Sequence, residues 1–184
     1  MRRHRRLVEQ IDPRTLEPRR RSPDLAAGPF WPGGLAAHAN GSLHIVYGRY
    51  CHRLSPELEL LGTRELPQPR PYNSFVVLGD GTLAMKDIDR SLRHPAHLTL
   101  LDPETLERRC SDVELPESVV ARLAADGDSL YAVGARHAYR YRWDGEGLEA
   151  DKELRYLERG GQSHGWDPVI EGGQMWFLDN GKHR

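Results

Sequence analysis

A short turn-and-strand pattern returns four times along this chain, and its spacing limits the available folds more than any other feature of the sequence. It reads Asn40-Gly41-Ser42-Leu43-His44-Ile45-Val46, then Asp80-Gly81-Thr82-Leu83-Ala84-Met85. It returns as Gly127-Asp128-Ser129-Leu130-Tyr131-Ala132-Val133 and as Gly172-Gly173-Gln174-Met175-Trp176-Phe177-Leu178. The anchors Leu43, Leu83, Leu130 and Met175 stand 40, 47 and 45 positions apart. A second turn alternates with the first: Asp12-Pro13-Arg14-Thr15-Leu16-Glu17 and Asp102-Pro103-Glu104-Thr105-Leu106-Glu107, with weaker forms at Ser55-Pro56-Glu57-Leu58 and Trp143-Asp144-Gly145-Glu146-Gly147-Leu148. Two turn series with one period are hard to obtain by chance.

Each turn has hairpin chemistry. Asn-Gly and Asp-Gly tolerate positive φ, and Asp-Pro-x-Thr supplies a preset φ and a side-chain acceptor. Two hairpins in every ~45 residues predict four-stranded antiparallel sheets, the blade unit of a β-propeller. The expected fold class is therefore all-β, a β-propeller of four-stranded blades forming a partial or composite ring. Residues 1–34 supply two outer strands and a link, 35–71, 72–116 and 117–163 form whole blades, and 164–184 supply two inner strands. Such a chain has two ways to close. Its ends meet in one mixed blade of a four-bladed ring, or the arc is completed by another copy or by a missing part of a larger propeller. The second is the preferred expectation, because an open arc leaves sheet faces and edges that drive association.

The 184 residues carry a formal net charge of −1, with 29% charged and 38% hydrophobic. A near-neutral chain has no global field to draw it onto nucleic acid, so no nucleic-acid partner is expected. No apolar run approaches the ~20 residues of a membrane span. Arg2, Arg3, Arg5 and Arg6 are not followed by an apolar segment, so this stretch does not read as a secretory signal; the expectation is a cytoplasmic location or, alternatively, an internal stretch of a longer chain. Cys51 and Cys110 lack zinc-site spacing; they read as two thiols, with a single disulfide left open.

Candidate site residues come from equivalent positions of the repeat, because propellers place function at the central channel and one set of loops. Four residues past the anchors lie Tyr47, Asp87, Gly134 and Asp179. Asp87 and Asp179, with Asn73 at the start of an innermost strand, offer oxygen ligands suited to a hard cation such as Ca²⁺. The competing reading is that these groups cap strand ends and bond to loop backbone. Lys86 and the segment holding His164, Trp166 and Asp167 are candidate ligand contacts near the channel mouth. His94 and His97 read as a surface loop, and Trp143-Asp144 as a hairpin turn.

The segment Pro71-Tyr72-Asn73-Ser74 through Asp80-Gly81-Thr82-Leu83 to Asp87 resembles a repeat of the gluconolactonase/senescence-marker propellers. That resemblance implies a divalent metal held by Asn73 and Asp87 that polarises a lactone or ester. Tyr72 and Ser74 depart from the family's pattern, and Lys86 stands beside the closing Asp87. Over its whole length the chain is similar to quinoprotein-like and YVTN-type propellers, which implies no particular ligand, and no dedicated quinone ligands are present. The leading expectation is a binding or scaffold module that holds a protein or small molecule on its channel face. The alternative is a metal-dependent lactonase or esterase.

Overall fold

The computed structural model describes residues 6–27, 32–157 and 166–178. Every regular element among them is a strand. Three complete sheets follow one another along the chain as four-stranded antiparallel meanders. The first contains β3 (Pro32–Ala37), β4 (Leu43–Tyr47), β5 (Tyr50–Leu54) and β6 (Leu60–Glu65). The second contains β7 (Tyr72–Val77), β8 (Leu83–Asp87), β9 (His97–Leu101) and β10 (Val113–Glu114). The third contains β11 (Val120–Asp126), β12 (Ser129–Gly134), β13 (His137–Trp143) and β14 (Leu148–Arg155). A two-stranded sheet precedes them, β1 (Glu9–Ile11) with β2 (Pro18–Arg21), and another follows, β15 (Trp166–Glu171) with β16 (Gln174–Leu178).

The turns follow from their residues. In the Asp80-Gly81 turn, Asp80 accepts the Thr82 N–H at 2.8 Å and the Thr82 hydroxyl at 2.9 Å, while Gly81 adopts φ +89°. Asn40 holds Ser42 in the same way, with Gly41 at φ +85°. In the Asp-Pro-x-Thr-Leu turns, the N–H of Leu16 bonds to the carbonyl of Asp12 and that of Leu106 to the carbonyl of Asp102, and both leucines take φ +59°. The bonds that set the backbone of each turn lie within it, so the hairpins are local commitments of the chain.

The sheets stack face to face in chain order, and their first strands β3, β7, β11 and β15 adjoin one another. That is the arrangement of propeller blades about an axis, with one apolar cluster between each adjacent pair of sheets. Leu25 packs with Ile45, Leu54 and Leu58; Val46, Cys51 and Leu66 pack with Leu83, Met85 and Leu106. Leu98 and Leu100 meet Leu123, Leu130 and Tyr141, and Val133 and Ala138 meet Met175 and Phe177. Each buried aliphatic side chain stabilises the stack by about 1.5–3 kcal/mol. Both cysteines are free thiols, Cys51 fully buried and Cys110 half-buried, which closes the disulfide alternative. Burial pushes the Cys51 thiol up to about 12, so it packs as a small apolar group.

Candidate functional site

All four first strands bulge at the same end. The register shifts by one extra residue at Gly33, at Asn73, across Ala121-Arg122 and across Asp167-Pro168. A bulge re-aims side chains and ends regular pairing, and bulges gather near functional sites. Here they face a groove of about 340 Å³ lined by Gly34, Ser74, Phe75, Arg122, Asp167 and Pro168, drawn from all four strands. Gly33 is required by close approach: a Cβ there would stand 2.1 Å from the Tyr72 carbonyl oxygen. Ser74 accepts the Leu123 N–H at 2.8 Å and ties β7 to β11.

Two charged side chains look into this mouth. Arg122 Nε lies 3.1 Å from Asp167 Oδ1, and both side chains are largely exposed. Asp167 takes φ +49°, a left-handed conformation that aspartate tolerates better than most residues. An exposed pair of this kind contributes little to stability, so both groups are available to a ligand.

The other candidates lie differently. Lys86 is buried; its Nζ donates to Asn73 Oδ1 at 2.8 Å and to the Asp87 carbonyl at 3.3 Å. Burial holds its ammonium down to about 8, opposed by the Asp87 charge. Asp87 is fully buried and accepts the His97 N–H on Oδ1. Arg70 Nε sits 2.8 Å from its Oδ2 as an ion pair, although no hydrogen bond is aimed at that oxygen. Burial pushes the Asp87 carboxyl up, against the opposing pull of the His97 N–H and Arg70. Arg70 also donates to His97 Nδ1 at 2.8 Å. Asn73 and Asp87 are thus matched by two cations, and no group of three or more His, Cys, Asp or Glu side chains able to hold a metal ion occurs among the described residues. As placed, the oxygens of Asn73 and Asp87 face the cationic groups of Lys86 and Arg70. Trp166 opens β15, whereas His164 and Asp179 lie outside the described residues.

The neighbouring blade explains what Asp87 does. Gly134 occupies the same repeat position, and a Cβ there would meet Glu117 Oε1 at 2.6 Å. Glu117 fills the space of the missing side chain. It accepts the N–H groups of Arg136 and His137 and, at 2.9 Å, the Tyr139 hydroxyl. In both blades a carboxylate clamps the first residue of the third strand, so Asp87 performs a structural task.

The link between second and third strands also sets one blade apart. It is Gly48-Arg49 and Ala135-Arg136 in the first and third complete blades, but runs from 88 to 96 in the second. This longer loop is organised by Asp89, which accepts N–H groups of Ser91, Arg93 and His94 and pairs with the His94 ring at 2.8 Å. The Ser91 hydroxyl and His94 hold the Asp89 carboxyl well below the usual range. His94 lies in this exposed loop, whereas His97 is the first residue of β9, so only one of the pair is a loop residue. The loop sits at the bulged end of the propeller, anchored by the Ile88 N–H on the Pro71 carbonyl.

Sequence reading missed Arg122, Arg70 and Glu117. Arg122 was findable, because Val120-Ala121-Arg122 aligns with Tyr72-Asn73-Ser74 once the bulges are matched. Arg70 and Glu117 lie in links between blades, where no periodicity marks them.

No protein-family model and no curated protein sequence matches this chain. Solved structures do. Virginiamycin B lyase from Staphylococcus aureus superposes with a TM-score of 0.72 at 13% identity, over 94% of this chain and 56% of its own. A streptogramin B lyase gives 0.69 at 13% identity, over 93% and 54%. A protein of unknown function from Bacteroides caccae gives 0.61 at 10% identity, over 93% and 60%. The chain therefore spans little more than half the length of the structures it resembles. At these identities the likeness establishes the fold: this is a β-propeller chain built of four-stranded antiparallel blades.

Proposed function

We propose that this chain is a binding module that takes a polar, acid-bearing ligand at the bulged mouth of its channel. The observation that carries this reading is the convergence of four strand bulges on one groove, with Arg122 and Asp167 exposed at its rim. Arg122 supplies a planar donor fork suited to a carboxylate or phosphate. Asp167 would accept from a neighbouring hydroxyl or amine, and Phe75 and Pro168 offer apolar contact. The long 88–96 loop lies at the same end, where a rigid scaffold displays variable loops for binding. The alternative, a metal-dependent lactonase or esterase using Asn73, Asp87 and Asp179, would require Lys86 and Arg70 to leave their carboxylate and amide partners.

Ligand-observed NMR with a panel of small carboxylic acids and phosphate esters tests the reading. Binding that disappears in Arg122→Ala is expected; a panel in which nothing depends on Arg122 overturns it. A saturable rise in Tm with Ca²⁺ that Asp87→Asn abolishes would transfer the case to the metal-dependent alternative.

A further inference from the structure

The groove at the bulged end is built from two successive positions of the repeat. Leu35, Phe75, Leu123 and Pro168 each stand two residues before the strand partner of an anchor, those partners being Ala37, Val77, Ala125 and Ile170. The residues just before them are Gly34, Ser74, Arg122 and Asp167, and both sets line the groove. Its apolar tier therefore runs across four blades, whereas its polar tier carries charge in two adjacent blades only.

The polar tier limits what the groove can hold. Gly34 has no side chain, and a Cβ there would stand 2.8 Å from the Phe75 Cβ. The Ser74 hydroxyl is buried and already accepts the Leu123 N–H. That leaves Arg122 and Asp167, one charge of each sign, so the lining is neutral as a whole. Arg122 meets Asp167 through Nε at 3.1 Å, and no other ion-pair partner of either group occurs among the described residues. An arginine held through Nε can still offer its outer edge to a carboxylate. Asp167 keeps its left-handed backbone at φ +49°, a strain of the kind found at ligand clamps.

A ligand bearing only an acid is poorly matched to this pair. Drawn to Arg122, it sets a second negative charge beside Asp167, and a groove screens that repulsion less than open water does. A ligand bearing only an amine meets the converse repulsion at Arg122. A ligand with a carboxylate and an ammonium on one carbon answers both charges at once. Its carboxylate takes the guanidinium edge, and its ammonium donates to Asp167. The short distance between Arg122 and Asp167 calls for ligand charges that are equally close together. Beside them, Leu35 is 60% exposed and Phe75 half-buried, which leaves apolar surface for a side chain.

We infer that the ligand of this mouth is a zwitterion of the α-amino acid type, whose apolar side chain lies along Leu35 and Phe75. The inference rests on the acid-binding reading of the mouth and adds to it an ammonium and a side chain.

Calorimetric titration of the full chain with four compounds tests it, at about pH 6.5 so that free amines stay charged. Phenylalanine carries both charges, N-acetylphenylalanine the acid alone, phenylalaninamide the ammonium alone, and glycine both charges without a side chain. Phenylalanine should bind roughly 10-fold more tightly than each of the other three. Arg122→Ala should abolish its binding, with circular dichroism as a check on folding. Asp167→Asn keeps a residue that tolerates positive φ. It should weaken phenylalanine and strengthen N-acetylphenylalanine, whereas a merely structural change would move both in one direction. N-acetylphenylalanine that binds as well as phenylalanine, and only with Arg122 present, would overturn the zwitterion and leave the acid-binding reading intact. No Arg122-dependent binding by any of the four would also overturn it, and the panel of acids and phosphate esters would then judge the acid-binding reading separately.

Discussion

The second and third complete blades solve one problem in two ways. Both must hold the chain as it leaves the second strand and enters the third, where His97 and His137 present free N–H groups. The β7–β10 blade uses Asp87, fixed on its own second strand, buried beside Lys86 and paired with Arg70. The β11–β14 blade has Gly134 there and borrows Glu117 from the link that enters it. The carboxylate is required and its origin is not. A repeat position that looks like a ligand set in one dimension is, in three, a clamp with interchangeable donors.

The comparison breaks most visibly at Asp87. Asp87→Ala would leave the His97 N–H and the Arg70 guanidinium without their carboxylate and the buried Lys86 without a nearby anion, so it should cost about 3–5 kcal/mol in urea unfolding. Glu117→Ala removes charge-assisted bonds from a partly hydrated site and should cost less, about 1.5–3 kcal/mol. Gly134→Asp sharpens the point: alone it crowds and repels Glu117 and should cost about 1–3 kcal/mol. Combined with Glu117→Ala it should become the new clamp, leaving the double variant more stable than the sum of the single costs predicts. Strict additivity would mean that the two carboxylates do not share one task.

The smallest effect belongs to the first complete blade, which buries His44 and His52. Burial holds both imidazoles below their ordinary 6.5, against the opposing hydrogen bonds to the carbonyls of Pro103 and Ala26. Between the folded value and 6.5 the unfolded chain binds protons that the folded chain does not. Their contribution is therefore complete above pH 6.5 and is lost as pH falls through that window. Tm should decline on acidification below 6.5, and less steeply in His44→Gln; equal slopes would exclude His44 as a source.

Much of the fold is legible in one dimension because its signals are local. Asp80-Gly81 and Asp102-Pro103-Glu104-Thr105-Leu106 dictate their own backbone geometry through bonds two to five residues away. The spacing of the anchors then places four-stranded antiparallel sheets. The candidate site was legible only in part. Asn73 and Asp167 stand out as polar residues at strand starts, and the structure puts both at bulges. Their chemistry depends on partners that the sequence does not mark: Lys86 crosses to Asn73 from the adjacent strand, and Arg122 reaches Asp167 from the preceding blade.

By itself, then, the sequence determined hairpins, sheets and their succession, because turn residues and alternating apolar side chains act over a few bonds and a two-residue period. Only the tertiary structure decided which carboxylates are clamps and which face the mouth. That choice rests on cations and N–H groups brought from links and neighbouring blades, and on whether burial or water surrounds each charge once the sheets have stacked.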